Sequence, residues 1–109
     1  MEYVKYYWNY IDMQTPILIF AELDEERYST RQIEIFPDRH IEYLGIHEAY
    51  VSEEPYDSNE EINNMGEFQI FNISQLEFET LWNPRLDFYT GHLKPTPSDF
   101  ENDLKYAQK

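Results

Sequence analysis

The first 45 residues contain four closely spaced strand patterns, and this feature constrains the fold more than any other. Side chains from Glu2 to Tyr10 alternate with period two and are rich in aromatic residues, as is typical of a β-strand. Pro37–His40 has the composition of a hairpin turn. Further strands are predicted at Ile17–Leu23, Tyr28–Phe36 and Ile41–Gly45. Because such short connections join antiparallel neighbours, the sequence predicts a four-stranded antiparallel sheet.

The second half of the chain carries helix signals. Ser58–Ile62 has the composition of a helix start, and Phe68–Ile73 indicates an extended segment. Ser74 and Glu77 form a capping box that predicts a short helix ending near Trp82. We therefore predict an α+β fold, in which short helices pack on one face of the four-stranded antiparallel sheet.

The length of 109 residues indicates one domain with a single core. We assign residues 1–83 to the α+β domain and residues 84–109 to a C-terminal extension. Ser98 and Glu101 form a second capping box, which predicts a short helix in this extension, docked on the same domain.

The charge distribution indicates the kind of partner. The net charge is −14, and no Lys or Arg occurs between Arg39 and Arg85, where ten acidic residues lie. Direct binding to nucleic acid or to anionic membranes needs cations, so neither is an expected partner. A one-signed segment of this length attracts basic proteins and raises their association rates. The alternative is a surface that only keeps the protein in solution, although such surfaces more often mix both signs.

Few residues support catalysis, a metal site or a cofactor. The absence of cysteine excludes disulfides, thiolate nucleophiles and cysteine-based metal sites. His40, His47 and His92 follow no metal-ligand spacing, and three glycines cannot build a phosphate-binding loop. We therefore expect a protein without enzyme activity, metal or cofactor. The longest apolar stretch, Pro16–Ala21, is too short to span a bilayer. Small secreted domains often carry disulfides, so the absence of cysteine favours a cytoplasmic protein, and we expect no membrane partner.

The candidate binding site lies in the acidic part of the chain. Ile46–Asp57 has neither helix nor strand periodicity, so its side chains should face solvent. Carboxylates beside tyrosine rings bind Lys and Arg side chains by ion pairing and cation–π contact together. The predicted contact residues are Glu48, Tyr50, Glu53, Glu54, Tyr56, Asp57, Glu60 and Glu61. The competing location is the extension, which carries Phe88, Tyr89 and His92.

Several segments resemble a family of short, acidic bacterial proteins that carry an uncharacterised domain. The most specific segment runs from Leu23 to Tyr28 and continues with Glu34-Ile35-Phe36. Less specific matches are Glu2–Lys5 with Trp8, Glu60–Asn63, and residues between Ile73 and Trp82. The resemblance spans residues 1–83. Members of this family look like the small acidic proteins encoded beside bacterial toxin genes, including those of contact-dependent growth inhibition.

The resemblance and the charge together predict an immunity protein. It would bind a basic toxin, a nuclease domain in particular, and occlude the active site or the substrate groove. The alternative is a DNA mimic or anti-defence protein that inhibits a nucleic-acid-binding protein. A third hypothesis, from a different class, is a small enzyme that uses a pair of carboxylates.

Overall fold

A computed structural model describes residues 1–9, 14–46 and 48–83 of the chain. In chain order the elements are β1 Glu2–Trp8, β2 Leu18–Leu23, β3 Ser29–Ile35, β4 Ile41–Leu44, α1 Asn59–Asn64, β5 Phe68–Ile73 and α2 Gln75–Trp82. Within these ranges, no helix is both long and apolar enough to cross a membrane. The predicted extension at residues 84–109, with its helix, lies outside the described residues, as does His47.

The sheet has five strands, in the order β4-β3-β2-β1-β5, and all neighbours are antiparallel. This confirms the α+β fold and the antiparallel sheet, but the prediction of four strands is wrong. The fifth strand is β5, which pairs with β1 and places Ile70 opposite Tyr6. Gly66, with a φ of +80°, lies between α1 and β5 and allows the reversal that brings β5 beside β1.

The hairpin turn predicted at Pro37–His40 is present between β3 and β4. The Phe36 amide donates to the His40 carbonyl, and the Arg39 amide donates to the Phe36 carbonyl. Arg39 has a φ of 76°, a conformation that glycine usually supplies in such turns. Asp38 accepts a hydrogen bond from the His40 amide, and this bond stabilises the turn in the absence of glycine.

Helix α2 packs on one face of the sheet. Ser74 caps it by accepting a hydrogen bond from the Glu77 amide at 3.0 Å, which confirms the predicted start of the helix. Phe78 and Trp82 are buried, and Phe78 lies 5.4 Å from the Tyr3 ring centroid. The core on this face also contains Tyr7, Ile17, Leu18, Phe20, Ile33, Ile35 and Tyr43.

Helix α1 packs on the opposite face. Ile62 of α1 contacts a second cluster of buried residues, which consists of Val4, Ala21, Leu23 and Ile70. The prediction that the helices share one face is therefore wrong. Strand β5 separates the two helices in sequence and lies at the sheet edge, so the chain can leave one face after α1 and begin α2 on the other.

The outer edge of β5 is capped by a side chain. Asn63 accepts a hydrogen bond from the Ile70 amide at 2.9 Å and donates one to the Ile70 carbonyl at 3.3 Å. These bonds occupy the backbone groups that an added strand would need. Strand addition at the centre of β5 is thereby blocked.

Candidate functional site

The predicted binding residues lie in one continuous stretch, residues 48–61, here called the acidic segment. Its first part is a loop, as predicted, and Ser58 caps α1 by accepting from the Glu61 amide. The loop is tied to the start of β3: the Val51 amide donates to the Ser29 carbonyl at 2.7 Å, and Ser52 accepts from the Ser29 amide at 2.9 Å. These bonds hold the loop backbone in place against the sheet.

Arg27 holds the rest of this loop. Its guanidinium donates to the carbonyls of Tyr56 and Asp57 and to the Asn59 side chain, at 3.3, 2.8 and 2.9 Å. It also binds both carboxylate oxygens of Glu2, at 3.0 and 2.9 Å. Arg27 therefore positions the backbone of the acidic segment, while its charge is offset by Glu2. The sequence contained no signal for this contact, because the residues involved are about thirty positions apart.

The carboxylates of the acidic segment point to solvent. The side chains of Glu48, Glu53, Glu54, Asp57, Glu60 and Glu61 are all exposed. Glu48 accepts a hydrogen bond from the Gly45 amide, and Glu61 accepts one from the Ser58 hydroxyl. Glu53, Glu54 and Glu60 form no ion pair with any residue that the structure describes. These carboxylates are available to cations of a partner.

The structure also forms a cleft between two tyrosines, here called the tyrosine cleft. Its cavity of 320 Å³ is lined by Glu26, Tyr28, Tyr50, Ser52 and Glu53. The two tyrosine rings lie 5.8 Å apart in an edge-to-face arrangement, and Tyr50 is 56% exposed. Two ring systems and two carboxylates around one cavity form an environment that suits a Lys or Arg side chain. Sequence reasoning included Tyr50 and Glu53 but missed Glu26 and Tyr28, which belong to the β2–β3 turn.

Tyr56 lies in a different environment from Tyr50. Its side chain is half-buried, and its hydroxyl donates to the Gln32 side-chain oxygen at 2.8 Å. Since that bond uses the only proton of the Tyr56 hydroxyl, the 2.9 Å contact with Tyr6 must be donated by Tyr6. Burial, followed by the Tyr56 contact, raises the pKa of Tyr6 well above its usual value. Tyr56 therefore anchors the acidic segment to the sheet, and its hydroxyl is engaged within the protein.

A second group of carboxylates lies under α2 and is bound internally. Glu22 is buried and accepts hydrogen bonds from Arg31, Thr30 and Tyr3, while Glu79 of α2 also binds Arg31. Burial alone would raise the pKa of Glu22, but the hydrogen bonds from these three residues and the charge of Arg31 outweigh it and lower the pKa to about 2. These carboxylates stabilise the fold and are not free to bind a partner.

The grouping and the pKa values of the described carboxylates bear on metal binding and acid–base chemistry. Across residues 1–9, 14–46 and 48–83, no three His, Asp or Glu side chains come together in a group that could hold a metal ion. The pKa of the Glu34 carboxyl is raised: burial raises it, a hydrogen bond from Gln32 opposes this, and the neighbouring Glu42 adds to the increase.

The geometry first defines a class of protein: a small α+β domain, built on a five-stranded antiparallel sheet, with an acidic surface that contains a tyrosine cleft. The family follows from the sequence. Residues 2–87 match the family described as "Domain of unknown function (DUF6881)", and the chain belongs to this family. The resemblance to an uncharacterised domain family is thereby confirmed. No curated protein and no solved structure matched the chain.

Proposed function

We propose that this protein is an immunity protein that binds a cognate toxin and neutralises it. The partner would be a basic protein, a nuclease domain in particular, whose active site or substrate groove becomes occluded. The observation that carries the proposal is the tyrosine cleft between the acidic segment and the β2–β3 turn, which is lined by Tyr28 and Tyr50 together with Glu26 and Glu53. Such a site accommodates a Lys or Arg side chain.

The electrostatics of the described residues support a basic partner. Four Lys and Arg side chains occur in this part of the chain, and two of them, Arg27 and Arg31, bind carboxylates of the protein itself. Among the same residues, carboxylates such as those of Glu53 and Glu54 are exposed and form no ion pair. A surface of this kind attracts a cationic protein and fixes its orientation on encounter.

The backbone of the acidic segment is ordered before any partner binds. Val51, Ser52, Tyr56 and Asp57 each make a hydrogen bond to the β2–β3 region. A loop that is already held loses less conformational entropy on binding, so more of the interaction energy appears as affinity. This pre-organisation favours a binding role over a merely solvated surface.

The immunity role rests on the resemblance to small acidic proteins encoded beside toxin genes. A nuclease needs a cationic groove for its phosphate-bearing substrate, and an acidic protein is the electrostatic complement of that groove. The protein would act in the cytoplasm, where a nuclease toxin meets its substrate.

Co-expression tests this proposal. The protein encoded by the gene immediately adjacent to the gene of this chain would be expressed in a host that lacks both, with and without the chain. We expect the adjacent protein to arrest growth and the wild-type chain to restore it. The Glu53→Lys variant should restore growth poorly, whereas Glu77→Lys, which makes the same charge change on the exposed surface of α2, should restore it fully.

Rescue that is equally strong with Glu53→Lys and Glu77→Lys would remove Glu53 from the interface but leave the immunity role in place. Two results would contradict the proposal itself. One is growth arrest by the adjacent protein that the wild-type chain does not relieve. The other is inhibition of several unrelated nucleases by the purified chain at similar concentrations, which is the behaviour of a DNA mimic. An immunity protein discriminates its cognate toxin from the others.

A further inference from the structure

A second cavity lies on the face of the sheet that α1 covers, here called the apolar pocket. It has a volume of 220 Å³ and is lined by Tyr6, Pro55, Tyr56, Asp57, Ile62, Met65, Phe68 and Ile70. Most of these side chains are aliphatic or aromatic, and Met65 at the edge is 51% exposed. The dimensions and the lining suit one large apolar side chain.

The walls of the apolar pocket are held in place from several sides. The Tyr6 ring lies edge-to-face with both Tyr56 and Phe68, with 5.9 Å between centroids in each pair. Arg27 fixes the backbone carbonyls of Tyr56 and Asp57 at the other wall. The pocket is therefore pre-formed, and filling it requires no rearrangement of the chain.

The apolar pocket is continuous with the acidic segment. Glu53 of the tyrosine cleft and Pro55 of the apolar pocket are two residues apart, so their Cα atoms lie within about 7 Å of each other. Asp57, which is exposed, is one of the lining residues, and the exposed Glu61 precedes the lining residue Ile62. An apolar side chain that enters this pocket would therefore be flanked by acidic groups on the protein.

We propose that the apolar pocket receives one large apolar side chain of the basic partner, from a segment that places basic residues on both sides of it. This inference rests on the proposed function and adds an anchor to it. The carboxylates attract and orient the partner segment, and the buried anchor slows its dissociation. Charge complementarity argues for this occupant, because the acidic surroundings would attract a cationic segment and repel an acidic one.

Two synthetic peptides, blocked at both ends, test the proposal. One has a phenylalanine between two pairs of lysines, and the other has alanine in place of phenylalanine. Titration into the ¹⁵N-labelled full-length chain, followed by NMR, gives the affinity and the contact site. We expect the phenylalanine peptide to bind about tenfold more tightly, which corresponds to about 1.4 kcal/mol. Its additional shifts should centre on Ile62, Met65 and Ile70.

Two matched variants test whether the preference for the phenylalanine peptide arises in the apolar pocket. Met65→Trp places a large ring at the pocket edge and should make the two peptides bind alike. Leu76→Trp makes a similar change at a 76% exposed position on α2 and should preserve the preference. Both positions are exposed enough for a ring to be accommodated at the surface. If either variant fails to fold, the comparison of the two peptides on the wild-type chain still tests the proposal.

The outcomes separate the pocket from the proposed function. Equal, salt-dependent binding of both peptides to the wild-type chain would overturn the pocket assignment alone. Absence of binding by either peptide at low salt would overturn the electrostatic basis of the proposed function, and the pocket assignment with it. A dimer in sedimentation velocity that Met65→Trp abolishes would assign the pocket to a second copy of the chain. Loss of thermal stability in Met65→Trp, with no peptide preference, would assign it to residues 84–109.

Discussion

The protein uses its carboxylates in two different ways on two parts of its surface. Under α2, Glu22 and Glu79 both bind Arg31, whose guanidinium lies 5.0 Å from the Phe78 ring centroid. In the acidic segment, Glu53 and its neighbours are exposed. The cation nearby, Arg27, binds backbone carbonyls and the Asn59 side chain of this segment rather than its carboxylates. The same residue type thus stabilises the fold in one region and is left available in the other. Position relative to an arginine decides which role a carboxylate has.

The two arginines in these regions, Arg31 and Arg27, also differ in what they bind. Arg31 binds carboxylates with its guanidinium and so removes them from the exposed acidic surface. The Arg27 guanidinium donates one set of hydrogen bonds to Glu2 and another to the carbonyls of Tyr56 and Asp57. It orders the acidic segment without neutralising its side chains. The largest effects of substitution on stability are expected in the region under α2.

Replacing Arg31 with methionine should have the largest effect. The change leaves the buried Glu22 carboxylate without its cation and removes the guanidinium from the Phe78 and Trp82 rings. We expect the free energy of unfolding to fall by about 3 kcal/mol, near the lower limit for a broken buried pair, because the Arg31 side chain is 22% exposed. Urea unfolding at pH 7 measures this. Arg31→Lys should lose less, and a loss below about 1 kcal/mol in Arg31→Met would contradict a structural role for the pair.

The pH dependence of Glu22 is the next largest effect. Its pKa is about 2 in the folded protein, against 4.5 as its ordinary value, so its ionisation stabilises the fold above pH 4.5 and this stabilisation is lost as the pH falls towards 2. Glu22→Gln should cost about 2 kcal/mol at pH 7, less than the full shift implies because solvent screens Arg31 in part.

Thermal unfolding of the wild type and of Glu22→Gln at pH 7, 5, 4 and 3 checks this dependence. We expect less than half of the stability difference to remain at pH 3, since Glu22 is then largely protonated in the unfolded chain. A difference that stays constant over this range would show that ionisation of Glu22 does not contribute.

The two tyrosines of the acidic segment should respond differently to loss of the hydroxyl. Tyr56→Phe leaves Tyr6 without its acceptor and Gln32 without one of its donors, which should cost about 1 kcal/mol. Tyr50→Phe removes a hydroxyl from an exposed side chain and should change stability by less than about 0.5 kcal/mol. Equal losses in urea unfolding would contradict the distinction between an anchoring and an exposed tyrosine.

Charge reversal in the acidic segment should have the smallest effect on stability. Glu53→Lys removes like-charge repulsion and breaks no ion pair among the described residues, so the free energy of unfolding should stay within about 0.5 kcal/mol or rise slightly. The same measurement in urea applies. A loss above about 1 kcal/mol would place Glu53 among the structural carboxylates, with Glu22.

The sequence predicted those parts of the fold that depend on local patterns. The first four strands, the hairpin turn at Pro37–His40 and the Ser74 cap were all confirmed, since each depends on residues near one another in the chain. The pairing of β5 with β1 was not predicted, because it joins segments more than sixty residues apart and β5 alternates poorly. The placement of α1 and α2 on opposite faces follows from that pairing.

For the candidate site, too, the sequence predicted local features but not those that depend on long-range contacts. Exposure of the acidic side chains followed from composition and from the lack of periodicity in the loop. The roles of Glu26, Tyr28 and Arg27 did not, because they depend on how the β2–β3 turn docks against the loop. For the same reason, Tyr50 and Tyr56 could not be distinguished by sequence, since both are tyrosines among acidic residues.

The most direct test of the acidic segment as a binding surface is the association rate constant with the toxin that the co-expression experiment identifies. Stopped-flow measurements would cover NaCl from about 0.05 to about 0.5 M, where the Debye length falls to about 4 Å. The rate constant of the wild type should fall at least about tenfold over this range, and at low salt Glu53→Lys should associate more slowly than Glu77→Lys. A rate constant that does not change with salt, and is the same for both variants, would contradict the account.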